Sequence, residues 1–292
     1  MEHIRQAIER AKESGVADKS PQEQTPPAPQ QPQSRANAGT AGIAQLWGKE
    51  VILDGAHLVS NRIVSHDIAD VRSKSFDMLR TQVLQSMDKA SWQILGVTSP
   101  TPECGKSVVA ANLALSIARQ PDRAVLLVDM DLQKAQVAVC LGLKCDQGLL
   151  SVLQGRTTLS NSLIRARIRN QQLLVLPCEK PTLDSSAWMA SRSMSAMLQE
   201  IRRDFKAFTV ILDMPPILTS DDVMTILPQI DCSLFVAAIG SSTLAEIKEC
   251  NKYLESTPIV QVVVNKAPDT PTSYYYYSAY AKNLASQVKT DP

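Results

Sequence analysis

The sequence predicts an α/β fold, a doubly wound and mainly parallel sheet flanked by helices, set between a disordered N-terminal linker and a mobile C-terminal tail. Three observations carry that prediction. After Trp92, apolar runs of strand length alternate with amphipathic segments of helix length, the pattern of crossover-connected parallel strands covered on both faces. Three of those strand ends carry aspartate or a glycine-and-lysine loop, where sheets of this kind bind ligands. The 292 residues, 44% of them hydrophobic, suffice for one domain of about 200 to 250 residues with chain left over.

Taken in order, residues 1–15 place Ile4, Ala7, Ile8 and Ala11 at helical spacing. So short an amphipathic segment is unstable alone, and it reads either as a frayed terminus or as a docking helix that folds on a partner. Residues 16–45 are rich in Pro, Gln, Ala and Ser, as in SPQEQTPPAPQQPQ; they lack the apolar area to offset ordering entropy and read as a disordered linker. The domain is expected over 46–267. Within it DIADVRSKSFDMLRTQVLQSM, with Ile68, Val71, Phe76, Leu79 and Val83 on one stripe, predicts a helix. The expected strands are QILGVTS, AVLLVD, LLVLPC, FTVILD, CSLFVAAI and IVQVVVN; the helices between them include SVVAANLALSIAR, SMSAMLQEIRR and LAEIKECNKYL. Residues 268–292 form a tail in which APDTPTS, a mobile tether, leads into a run containing Tyr274, Tyr275, Tyr276, Tyr277 and Tyr280.

The formal net charge of +1 gives no global attraction to nucleic acid, and none is expected as a partner. The six cysteines show no CxxC spacing, which suits reduced thiols in the cytoplasm better than a disulfide or zinc framework. Neither a signal-peptide core nor an apolar run of about 18 residues is present. The chain is expected to be cytoplasmic, and any work at a membrane requires another protein to hold it there.

The segment VTSPTPECGKSVVAANLALSIA joins a strand, a tight loop and a helix opening at Gly105, Lys106 and Ser107. A phosphate loop needs those parts: a small residue where backbone meets phosphate, amides at a helix N-terminus, a lysine for the β/γ-phosphates and a hydroxyl for Mg²⁺. Pro100 stands where the general GxxxxGK[ST] pattern has its first glycine, so the assignment rests on this strand–loop–helix context. Asp129 and Asp131 end AVLLVDMD, and Asp213 ends FTVILD. Carboxylates there can hold Mg²⁺ and orient an attacking group.

These residues resemble the deviant-Walker P-loop ATPases (MinD/ParA-like P-loop NTPases) and, among them, the bacterial tyrosine kinases of capsule and exopolysaccharide biosynthesis. TSPTPECGKSV, VLLVDMDLQKA and VILDMPP stand for that family's TSPxPGEGKST, VLLIDADLRxP and VIIDTPP, and the tyrosine run closes the chain as it does there. The resemblance implies ATP and Mg²⁺ as cofactors. It implies nucleotide contacts from Pro102, Glu103, Cys104, Gly105, Lys106, Ser107, Val108 and Asn265, the last near the adenine. Catalysis would fall to Lys106, Asp129 and Asp131, and the metal to Ser107, Asp129 and Asp213. The five tail tyrosines would be phosphoacceptors, labelled in trans within a homo-oligomeric ring to which Arg80 contributes. A transmembrane polysaccharide co-polymerase adaptor would activate the protein and recruit it to the inner face of the membrane.

Several positions depart from the family pattern. Glu103 and Cys104 occupy the PGEG loop, Gln133 replaces an arginine, Ala135 a proline, and of the ExxRxxR ring motif only Arg80 is kept, behind Lys74 and Asp77. A carboxylate at 103 opposes phosphate unless it turns outward. At a helix N-terminus Cys104 has the setting of a redox-sensitive thiol or is simply a small tolerated residue. An autokinase is the leading reading. The alternatives are a nucleotide-binding regulatory partner of the export complex with weak or no kinase activity, and a MinD/ParA-type ATPase, against which the missing early lysine of the loop and the tyrosine run both speak.

Overall fold

The computed structural model describes residues 48–255 and 257–268. The expected docking helix over 1–15, the linker over 16–45 and the tail from 269 onward lie outside them. All six expected strands form, and two more join them: β1 (Lys49–Ile52), β2 (Ile94–Thr98), β3 (Ala124–Asp129), β4 (Ile164–Ile168), β5 (Gln171–Leu176), β6 (Phe208–Asp213), β7 (Cys232–Ala238) and β8 (Ile259–Asn265). They build one sheet in the order β1-β4-β5-β3-β6-β2-β7-β8. Every neighbouring pair is parallel except β4 with β5. That hairpin turns at Arg169, whose φ of 51° is left-handed.

Side chains alternate across the sheet, so each central strand serves two cores. Val125 and Leu127 of β3 face one cluster with Leu95 and Val97 of β2. Leu126 and Val128 face the other, with Val210 and Leu212 of β6. Gly96 sits where a Cβ would strike Ile230 and Met214, each 2.6 Å away; its lack of a side chain lets the loop before β7 and the residue after β6 close over β2.

The helices that frame the site are α1 (Gly55–Ser60), α2 (Ser73–Ala90), α3 (Lys106–Ala118), α4 (Val137–Leu141), α5 (Arg192–Asp204) and α6 (Leu244–Leu254). The helix expected from residue 67 starts only at Ser73. The Asp67 and Asp70 carboxylates accept from the amides of Ala69 and Arg72 (3.0 and 2.9 Å), local turns that compete with helix. Ile68 and Val71, assigned to the apolar stripe, are accordingly exposed, whereas Leu79 and Val83 are buried. Leu113, Ala114 and Ile117 bury α3 against the sheet, with Ala110 and Ala111 allowing close approach. The capping box at Thr243 and Glu246 fixes the start of α6.

A buried amide ties α3 to the segment before α2. Asn112 accepts from the amides of Val64 (2.8 Å) and Ser65 (3.0 Å) and donates to the carbonyls of Arg62 (3.0 Å) and Val108 (2.9 Å). At the opposite end of the sheet Asp231 accepts from the amides of Gln93 and Ile94 and pairs with Arg202. No helix among the described residues is long and apolar enough to cross a membrane.

Candidate active site

The site follows from strand order. β6 lies between β2 and β3, with Asp129 directly opposite Asp213 and Asp213 opposite Val97. The loop leaving β2 therefore passes over two strand ends that both terminate in aspartate. That loop closes with Gly105 at φ 89°, after which α3 begins without a side-chain cap. A Cβ at Gly105 would collide with the Asn265 side chain. The first amides of α3 are left without intrahelical partners at the positive end of its dipole, a site suited to an anion.

Lys106 is 8% exposed. Its Nζ lies 2.8 Å from Asp131 Oδ2, 3.7 Å from Asp213 Oδ1 and 3.5 Å from Ser107 Oγ. Burial works against the ammonium charge, but Asp213 and Asp131 outweigh it and hold its pKa above the ordinary lysine value. Asp129 is fully buried and receives the amides of Val137 (3.0 Å) and Asp131 (3.3 Å). Burial, then repulsion from Asp213, pushes its carboxyl well above the usual carboxylate range. Burial also raises Asp213, although Lys106 opposes the shift. Among the described residues neither carboxyl oxygen of Asp213 has a hydrogen-bond partner.

Two carboxylates thus flank one ammonium group, with Asp129 opposite the second of them, and Asp213 lacks hydrogen-bond partners among the described residues. Such an arrangement would suit a small hard cation, for which Ser107, Asp129 and Asp213 are the oxygen donors expected from the sequence. Among the described residues no three His, Cys, Asp or Glu side chains are grouped so that they could hold a metal ion by themselves. Mg²⁺ needs no such group, since it keeps waters and takes phosphate oxygens.

A cleft of about 1650 Å³ opens over these groups, lined by Pro102, Glu103, Gly105, Lys106, Ser107, Val108, Asp131 and Asn265 among others. Asp131 reaches it, whereas Asp129 and Asp213 lie beneath. Asn265 touches the phosphate loop itself, donating from Nδ2 to the Cys104 carbonyl at 2.9 Å. The Glu103 side chain is 77% exposed and pairs with Lys134 at 3.5 Å, so its carboxylate does turn outward. Replacing Glu103 by glutamine is expected to change unfolding free energy by no more than about 0.5 kcal/mol, because so exposed a pair is well screened. A larger loss in urea titration would mean that the pair holds the loop. Cys104 is fully buried beside Ser242 Oγ at 3.4 Å, a small core residue rather than a presented thiol.

Arg80 is directed inward. Its Nη1 bonds Asp77 (3.2 Å) and the carbonyl and hydroxyl of Ser116 (3.1 and 3.2 Å), and Arg119 joins the same Asp77 carboxylate. The altered ring motif thus forms a network joining α2 to α3 within the chain. The five tail tyrosines lie outside the described residues. Sequence reasoning missed Lys134 and the partners of Gln133, namely Ser185, Ser220 and Asp222, which no local motif announces.

The buried carboxylates make stability depend on pH. Asp129, raised when folded, contributes stability that is complete below the unfolded value of about 4 and is lost as pH rises through the folded one. Asp231 does the reverse: burial opposes its charge, yet Arg202 and the amides of Ile94 and Gln93 hold it below the usual range. Its contribution is present above about 4 and lost as pH falls through the folded value. Without nucleotide, the melting temperature is expected to peak on the acid side of neutrality and to decline toward pH 8, with Asp129→Asn flattening the decline. A melting temperature that climbs steadily from pH 5 to 8 would contradict this.

No family model matches the chain. Curated relatives include a putative tyrosine-protein kinase EpsB from Ralstonia nicotianae, 29% identical over 77% of this chain. The chain spans only 29% of that protein's length. The putative tyrosine-protein kinase CapB of Staphylococcus aureus is 26% identical over 70% of this chain and 89% of its own length. Among solved structures, the chimerical protein CapA2B2 superposes with a TM-score of 0.64 at 24% identity, covering 79% of this chain and all of that one. The kinase domain of Escherichia coli tyrosine kinase ETK gives 0.60 at 24% identity, over 68% and 78%. MinD from Pyrococcus horikoshii, complexed with Mg-ADP, gives 0.51 at 19% identity, over 63% and 76%. The structural likenesses establish the fold, and the sequence relatives carry the names of bacterial tyrosine-protein kinases.

Proposed function

We propose that this relative of the bacterial tyrosine-protein kinases is itself an ATP-dependent protein-tyrosine kinase of a capsule or exopolysaccharide system, and that its tyrosine-rich tail is an acceptor in trans. The observation that carries the reading is the meeting of Asp131 and Asp213 at Lys106, with Asp129 directly opposite Asp213, at the mouth of an uncapped phosphate-loop helix. A cleft above it admits a second substrate.

In this reading Lys106 and the first amides of α3 receive the β/γ-phosphates. Asp131, facing both Lys106 and the cleft, receives the proton of the incoming phenol, which has an ordinary pKa of about 10 and needs an acceptor as it attacks. The new bond joins the phenolic oxygen to the γ-phosphorus; the bond to the β-phosphate oxygen breaks and ADP leaves. Mg²⁺, held by Ser107, Asp129 and Asp213, would neutralise phosphate charge and keep the polyphosphate aligned. The rest of the catalysis is positioning in a buried, low-dielectric site. Asn265 steadies the loop through the Cys104 carbonyl.

A transmembrane co-polymerase adaptor as activator, and a ring of copies, belong to the same proposal and rest on the family resemblance. Gln133 in place of the family arginine favours the second reading, a nucleotide-binding regulatory partner with weak kinase activity. Purified protein, alone and with the cytoplasmic segment of its adaptor, is expected to become phosphotyrosine-positive with ATP and Mg²⁺. Changing the five tail tyrosines to phenylalanine should remove the label from the chain yet leave transfer to an added peptide. Nucleotide binding without phosphotyrosine in either condition would overturn the kinase reading.

A further inference from the structure

We propose that Gln133 is a substrate-positioning residue that takes a main-chain N–H of the acceptor tyrosine peptide, and that the buried Asp222 is the anchor that aims it. The inference rests on the kinase reading above. Gln133 Nε2 lies 2.8 Å from Ser185 Oγ, 3.3 Å from Ser220 Oγ and 3.4 Å from Asp222 Oδ2. A carboxylate only accepts, so the donor end of the amide faces Asp222 and the carbonyl end points away from it. Among the described residues none donates to that Oε1.

The anchor has reason to hold. Asp222 is 0% exposed, and its Oδ1 has no hydrogen-bond partner among the described residues. A carboxyl so far from water gains strongly from any donor that reaches it. Gln133 is itself exposed. It stands two residues beyond Asp131 and, with Ser220, lines the cleft that Lys106 and Asp131 also line.

Chemistry then selects the ligand. Asp131 takes the phenolic proton, so the acceptor group offered by Gln133 beside it suits a different donor of the same substrate. An extended peptide presents such donors in its backbone amides. An arginine at 133 would pair with Asp222 and offer only donors, which would reverse the polarity that the peptide meets.

Steady-state phosphorylation of a synthetic peptide of sequence TSYYYYSAYAK by the full chain tests this. Gln133→Met keeps the length of the side chain and removes its hydrogen bonding. It is expected to raise the peptide KM about tenfold, the equivalent of one good hydrogen bond, with the ATP KM unchanged; the melting temperature should fall somewhat, because Asp222 loses a donor. Asp222→Ala should raise the peptide KM similarly, and Asp222→Asn, which still accepts through its Oδ1, should recover most of the loss. If the alanine variant fails to fold, the methionine variant decides alone. An active wild type whose peptide KM is unmoved by Gln133→Met overturns this inference and leaves the kinase reading standing. A wild type that binds nucleotide but labels no tyrosine removes both.

Discussion

Replacing Asn112 with alanine is expected to lower the unfolding free energy by about 3 to 5 kcal/mol. The side chain is 0% exposed and makes four hydrogen bonds, two of them buried and two half-buried. The alanine would leave the amides of Val64 and Ser65 without their acceptor, at about 1 to 3 kcal/mol each, and free two carbonyls as well. A domain is stable by only about 5 to 15 kcal/mol in total, so the variant should unfold at much lower urea. Arg62 and Val64, which Asn112 positions, line the cleft, so nucleotide affinity should fall with stability. A loss below about 1 kcal/mol would mean that water or a shifted backbone replaces the amide.

Lys106→Met is expected to destabilise the nucleotide-free protein by a similar amount, about 3 to 5 kcal/mol, because it strips the cation from a buried cluster of acids. Asp131 would lose its partner at 2.8 Å and Asp213 its nearest cation at 3.7 Å. Lysine that is raised when folded contributes stability that is complete below its unfolded value of about 10.4 and is lost as pH rises through the folded one, so the whole contribution is present at neutral pH. The deficit of the variant should shrink toward acid pH, as Asp129 and Asp213, both raised by burial, take up protons. Adding Asp131→Asn to the variant should recover part of the loss by restoring charge balance. A variant that melts with the wild type at pH 8 would refute the account. A kinase-dead phenotype for Lys106→Met thus bears on catalysis only if the variant is shown to be folded.

Much of the fold was legible because the central strands are continuous apolar runs bounded by turns, a pattern that burial on both faces imposes. β1 and β4 were not. Lys49–Ile52 is four residues long and three of them are exposed. IRARI alternates in the period of a strand, with Ile164, Ala166 and Ile168 buried, but its arginines set it apart from the uninterrupted runs. The false start of α2 at residue 67 came from Ile68 and Val71, whose spacing fits a helix while two aspartates bend the backbone into turns.

What the sequence by itself determined is the chemistry that sits within a few residues of a strand end. Gly105, Lys106 and Ser107 follow β2, Asp129 ends β3 with Asp131 just beyond it, and Asp213 ends β6, so parallel pairing alone brings them to one edge. Tertiary structure alone decided where the departures point. Glu103 turns out to Lys134, Arg80 turns in to Asp77 and Ser116, Asn265 reaches the loop from the last strand, and Gln133 is seized by Asp222 from 89 residues away. Strand ends are placed by backbone pairing, which the apolar pattern encodes locally. The direction of a polar side chain is set by whichever donor or acceptor the packing brings beside it, and those partners come from distant parts of the chain.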